Sequence, residues 1–150
     1  MKCILVGRHE LLPIQRELLE RVGIEIVKQV PQIPTDPQGF NNFIKELKEE
    51  SDYCIVTTGL PLSLITQLVS RGVDVIVSKQ EAVVTTEDPK VAEAVKNEKP
   101  HARFILKGRV GEKEMYRVME FKGWYKIKRI VVEEEPLIEL EKAVREFISS

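Results

Sequence analysis

The sequence predicts an α/β fold: a three-layer, Rossmann-like parallel sheet, followed by an antiparallel β meander and a final helix. Three observations predict it. Over the first two-thirds, short apolar runs alternate with amphipathic stretches, and the connections are too short for anything but parallel crossovers. From about residue 98 the alternation gives way to three strand-like runs with no helix between them. The last stretch again places apolar residues at helical spacing.

Residues 2–7 (KCILVG) form a short buried strand pattern that stops at a glycine. Residues 12–22 follow as a helix, with Ile14, Leu18, Leu19 and Val22 on one side and Gly23 where a helix-ending glycine is expected. Residues 24–30 (IEIVKQV) are the second strand, and PQIPTDP is a stiff loop. Asp36-Pro37 is a cap plus first-turn proline for a helix over 37–50 that carries Phe40, Phe43, Ile44 and Leu47. YCIVTT (53–58) is the third strand, Pro61 opens a helix to about Arg71, Gly72 ends it, and VDVIVS (73–78) is the fourth strand. The expected order of these strands is 2-1-3-4. Asp88-Pro89 repeats the cap signal for a short helix to about Asn97. The meander strands are 102–109, 115–121 and 124–132, with VGEKE and KG as hairpin turns; Pro136 opens the last helix.

Length and composition fit one domain over 1–150, with an α/β part (1–97) and a meander-plus-helix part (98–150). The charged fraction is 31% and favours Lys, Arg and Glu over Asp, a composition that suits a thermophile. The opening apolar run is too short for a signal peptide, and no stretch nears the ~20 apolar residues of a membrane span. A cytoplasmic protein without a membrane partner is expected. Cys3 and Cys54 lie in separate strand-like runs and are expected to be buried, inert thiols.

Charge is segregated. Residues 1–97 carry −3, residues 98–132 carry +6 and residues 133–150 carry −4. The plain expectation is that the acidic helix packs on the basic strands; the other is a basic face for a phosphate-bearing ligand.

No G-x-G-x-x-G follows the first strand, no G-x-x-x-x-G-K-[ST] is present and no G-x-S-x-G elbow occurs. The two histidines are far from the cysteines, so neither a metal nor a cofactor is expected. The polar residues at strand ends remain. In an open α/β sheet ligands bind there, where helix N-termini point into a crevice. The first strand delivers Gly7, Arg8 and His9, the second Gln32, the third Thr57, Thr58 and Gly59 with Ser63 in the helix beyond, and the fourth Ser78 and Lys79. This set is polar, partly cationic and poor in carboxylates, which favours an anion such as phosphate. Singly, each has a plainer role: Arg8 paired with Glu10, His9 and Lys79 solvated, TTGLP a simple turn.

V-G-R-H near the start, and T-G-L-P opening a helix that ends in R-G, resemble small CRISPR-associated proteins of type III systems. The matching positions are Arg8, His9, Gly59, Leu60, Pro61, Arg71 and Gly72, within residues 2–78. The resemblance implies a Rossmann-like antiviral-defence protein that binds cyclic oligoadenylate, either sequestering it or cleaving it as a metal-independent ring nuclease. A two-fold homodimer would present two copies of the site to such a ring. Arg8 and Lys79 would hold phosphates, His9 would act as general acid or base, and Thr57, Thr58 or Ser63 would orient the phosphate. Two other functions stay open: a non-catalytic nucleotide-binding module using the same cleft, and a nucleic-acid binder using the basic meander. The latter would stack bases on Tyr116, Trp124 and Tyr125 beside Lys107, Arg109, Arg117, Lys126 and Lys128. An assembly protein without a ligand is the fourth.

Overall fold

The computed structural model describes residues 1–149. In chain order the elements are β1 (Lys2–Val6), α1 (Pro13–Arg21), β2 (Glu25–Val30), α2 (Pro37–Glu50), β3 (Cys54–Thr57), α3 (Leu62–Ser70), β4 (Asp74–Thr86), α4 (Pro89–Glu98), β5 (Arg103–Val110), β6 (Lys113–Ile127) and α5 (Leu140–Ser149). Local chemistry sets many of these boundaries. Asp36 caps α2 by accepting the Gly39 N–H at 2.8 Å, and Asp88 caps α4 by accepting the Lys90 N–H at 2.9 Å. The α1 helix ends at Gly23, whose φ of +77° lets the Ile24 N–H turn back to the Leu19 carbonyl at 3.0 Å.

One six-stranded sheet results, in the order β2-β1-β3-β4-β6-β5. The neighbours β2-β1-β3-β4 are parallel, and β6 and β5 add antiparallel at the β4 edge. The sheet is therefore mixed, and its full order differs from the four-stranded parallel sheet that the sequence predicts. One face buries Ile4, Val6, Ile55 and Val75 against α2 and α3 through Phe40, Phe43, Leu47, Leu64 and Leu68. The other buries Cys3, Leu5, Val56 and Ile76 against Leu19 of α1. A third cluster, Ala92 of α4 with Tyr116 and Val118 of β6, closes the outer hairpin.

Five expectations are corrected. The β4 strand does not stop at Ser78. It parts from β3 at the Thr57–Val77 pair and runs on to Thr86, nine residues or roughly 30 Å farther. Three meander strands become two, because Lys122-Gly123 is not a turn. Lys79 faces Gly123 and Gln80 faces Phe121, so Lys122 is an extra residue bulged out of a continuous β6. The strand expected over 124–132 ends at Ile127, and the last helix starts at Leu140, well after Pro136. That helix does not pack on the basic strands; none of its described residues is buried.

The cysteines also depart from expectation. Both are fully buried, but they form a disulfide, with Cα atoms 4.6 Å apart. The β1–β3 register pairs Ile4 with Ile55, which sets Cys3 beside Cys54 across 51 residues of sequence. No helix among the described residues is long and apolar enough to cross a membrane.

Candidate functional site

The ends of β1 and β3 meet because the two strands are hydrogen-bonded neighbours. Gly7 follows β1, and its N–H bonds the Val30 carbonyl at 2.9 Å, so β2 fixes where the chain turns out of the sheet. Its φ is +154°, and an added Cβ would lie 3.7 Å from the Thr58 hydroxyl oxygen, so this turn is suited to glycine and abuts the β3 turn. Arg8 and His9 emerge next, both exposed. The Arg8 guanidinium donates to Gln32 Oε1 at 3.3 Å, which tethers it to the loop after β2. The Gln29 side-chain amide donates to the carbonyls of Gly7 (2.8 Å) and His9 (3.1 Å), so a β2 side chain holds the Gly7–His9 backbone in place.

On β3, Thr57 is fully buried. Its hydroxyl donates toward the Val6 carbonyl at 3.1 Å and accepts the Gly59 N–H at 3.2 Å. Thr57 therefore ties the two strand tips together and shapes the turn, and its oxygen is committed inside the fold. Thr58, Gly59 and Ser63 are exposed. In α3 the first bonded amide is that of Leu64, which reaches Pro61 at 3.0 Å, so the Leu62 and Ser63 amides precede the helix's own ladder.

Ser78 and Lys79 lie inside β4 rather than at its end. The Ser78 hydroxyl sits 3.5 Å from the Thr58 carbonyl and accepts the Gln80 amide at 2.9 Å. Lys79 places its ammonium 4.0 Å from the centre of the Tyr125 ring. A cleft of about 750 Å³ opens here, lined by Ser78, Lys79, Gln80, Glu81, Lys122 and Tyr125. Arg8 and His9 do not line it. The site thus has two parts, a rim (Gly7, Arg8, His9, Gln32, Thr58, Gly59) and a wall (Lys79, Lys122, Tyr125), with Ser78 touching both.

Lys122 belongs to a charge network at the base of the wall. Glu120, 6% exposed, accepts from Lys122 and, at 2.9 Å, from Arg103 Nε; Arg103 also reaches Glu98 at 3.0 Å and the Val95 carbonyl at 2.7 Å. The Lys122 ammonium first, and the Arg103 guanidinium second, hold the Glu120 carboxyl down at about 2. The hydrogen bond to Glu120 likewise raises Lys122 and Arg103 above their ordinary values. Lys122 therefore stays protonated at the cleft, with its charge offset by Glu120 and by Glu81, 3.7 Å away.

The aromatic residues of the expected nucleic-acid face are otherwise engaged. Trp124 Nε1 donates to the Gln15 carbonyl at 3.0 Å beneath α1, Tyr116 is buried under α4, and Tyr125 has Lys79 over its ring. Lys126 pairs with Asp74 at 3.3 Å. Lys107, Arg109 and Arg117 remain together at a separate shallow hollow near the hairpin tip, with Leu106, Val110 and Met115.

Sequence reasoning did not find Gln29, Lys122 or the seating of Lys79 on Tyr125. Gln29 has no signal that sets it apart from Glu25 and Lys28 in the same strand, and the other two need the β4–β6 register. Among the described residues no group of three or more His, Cys, Asp or Glu is placed to hold a metal ion. No family model, curated protein or solved structure matches this chain.

Proposed function

We propose that the protein binds a phosphate-bearing ligand across the rim and wall, and that this ligand is a cyclic oligoadenylate. One observation carries the reading: a glycine turn followed by Arg8 and His9, and a second turn at Thr58-Gly59 that leads into a helix N-terminus, abut at one sheet edge. The unbonded amides at the start of α3 and the Arg8 guanidinium are donors suited to phosphate oxygens. Lys79 adds a cation on the wall, beside Lys122 with its Glu120 and Glu81 partners. The resemblance of residues 2–78 to small CRISPR-associated proteins supplies the ring-shaped ligand, and a two-fold homodimer would match its symmetry.

Cleavage at such a site needs no metal. The ribose 2′ oxygen attacks its own adjacent phosphorus, the bond to the 5′ oxygen breaks, and a 2′,3′-cyclic phosphate and a 5′-hydroxyl result. The proton leaves the 2′-hydroxyl and one is delivered to the departing 5′ oxygen. In this reading His9 serves proton transfer, since imidazole is the side chain that exchanges protons most readily near neutral pH. Arg8 stabilises charge on the phosphorane, a role worth 10²–10³ in rate where such a donor has been removed.

Incubation with labelled cyclic tetra-adenylate, with EDTA present, tests this. Expected are cleavage by the natural protein, loss of cleavage with retained binding in His9→Ala, and loss of both in Arg8→Ala, with unchanged melting temperatures for the free variants. Binding that raises the melting temperature while the ring stays whole would instead identify a non-catalytic sensor. No binding at all would sink both. Oligonucleotide binding that weakens steeply with salt and depends on Lys107 and Arg109 would move the function to the hairpin.

A further inference from the structure

We propose that α5 is an exchanged arm: the C-terminal helix of one copy lies in a groove beside α1 of a second copy, and the second copy reciprocates. This goes beyond the ligand reading and does not depend on it.

The sheet's two faces are unequally covered. Over β1, β3 and the first half of β4, one face carries α2 and α3, whereas the other carries, among the described residues, α1 alone. Beside α1, over β4 and β6, lies an open groove of about 500 Å³. Its surface is mainly apolar: Leu18, Val22, Ile24, Ile76 and Trp124, with Met1 at one side. Two strands are about 10 Å wide, and helices pack with axes 8–10 Å apart, so the bare strip has the width of one helix.

The same chain carries an unburied helix of matching chemistry. Leu137, Leu140, Val144 and Ile148 follow a 3-4-4 spacing and are 98%, 78%, 44% and 77% exposed. The apolar stripe would meet the floor, and Glu139, Glu141 and Glu146 would lie at the edges, where Arg21 and Lys126 are already paired with Glu17 and Asp74, so the fit rests on the apolar surfaces.

The connection favours a second copy as the occupant. Lys126 itself lines the groove, so the chain leaves β6 at the groove's edge. A return into its own groove would need only the four to six residues of an ordinary connection. Twelve residues, 128–139, intervene instead, without helix or strand and all exposed except Ile130. Extended, such a strap spans up to ~40 Å, enough to reach a neighbouring molecule. Reciprocal exchange covers both grooves and both helices and closes the assembly.

The chain's single tryptophan, Trp124, reports on the groove. The test is light scattering and Trp124 emission on the full chain, with Val144→Glu in the helix and Val22→Glu at the groove. Val22 is 69% exposed, so its substitution leaves the core intact. Expected are a dimer that dissociates on dilution with a red shift, two monomeric variants with red-shifted emission, and recovery of dimer when the two variants are mixed, because one groove and one helix remain sound. A wild-type monomer at high concentration overturns the proposal, and so does a monomer whose emission shifts in Val144→Glu, which would place the helix in its own groove. A dimer that survives Val144→Glu, or is lost in Val144→Glu but kept in Val22→Glu, also overturns it, the last outcome showing helices paired with one another.

Discussion

The body around β1–β3 and the blade formed by the far halves of β4 and β6 with β5 are built on different physics. The body is held by apolar burial on both faces, with Ile4, Leu47, Ile55, Val56 and Leu68 at or near zero exposure. The blade has one small apolar cluster under α4 and, beside it, the Arg103–Glu120–Lys122 network. Burial is non-directional and tolerates local adjustment, whereas a buried carboxylate depends on two cations staying where they are. The body should therefore set global stability, and the blade should carry most of the sensitivity to acid.

The largest test of that contrast is Ile55→Ala. It should lower unfolding free energy by about 2–5 kcal/mol in urea titrations and destabilise body and blade together. A loss below ~1 kcal/mol would mean the body core is not the keystone. Thr57→Val comes next. It strips the hydroxyl that serves the Val6 carbonyl and the Gly59 N–H, and should cost about 1–3 kcal/mol while weakening ligand binding at the rim. Unchanged affinity would separate the turn's shape from the site.

The acid test is smaller and concerns the blade. The Glu120 carboxyl is lowered to about 2 from 4.5. Its contribution is thus complete above about 4.5 and is lost as pH falls toward 2. The wild-type melting temperature should drop over that interval, and Glu120→Gln should flatten the drop. Arg103→Met should lower the melting temperature at pH 7, and the gap to wild type should narrow as Glu120 protonates. Parallel pH curves for all three proteins would show that the network does not control the acid response.

The contrast also explains what was legible in the sequence. In the body, local punctuation is enough: Asp36-Pro37, Gly23 and Pro61 mark helix ends within a few residues, and the strand tips follow. Gly7, Arg8, Thr58 and Gly59 could be placed on one edge for that reason. The blade is specified by pairing across strands. Lys122-Gly123 looks like a hairpin turn in one dimension and is a bulge only against Lys79 and Gln80. QEAVVTT lacks a clean alternation and becomes strand only because 116–121 pairs with it. The disulfide is hidden likewise, because only the β1–β3 register sets Cys3 against Cys54.

The length of β4 has a mechanical consequence. One backbone runs from the parallel sheet into the blade, and its ladder to β6 extends from Val75 to Thr86 with two register slips. The wall therefore cannot swing on a loop as a lid would; its orientation to the rim is dictated by pleat parity. Deleting Glu81, ahead of the bulged Val83, would invert the facing of the side chains beyond it and turn Val84 away from α4, whereas extra residues at Gly111-Glu112 would lengthen the hairpin tip and leave the rim untouched.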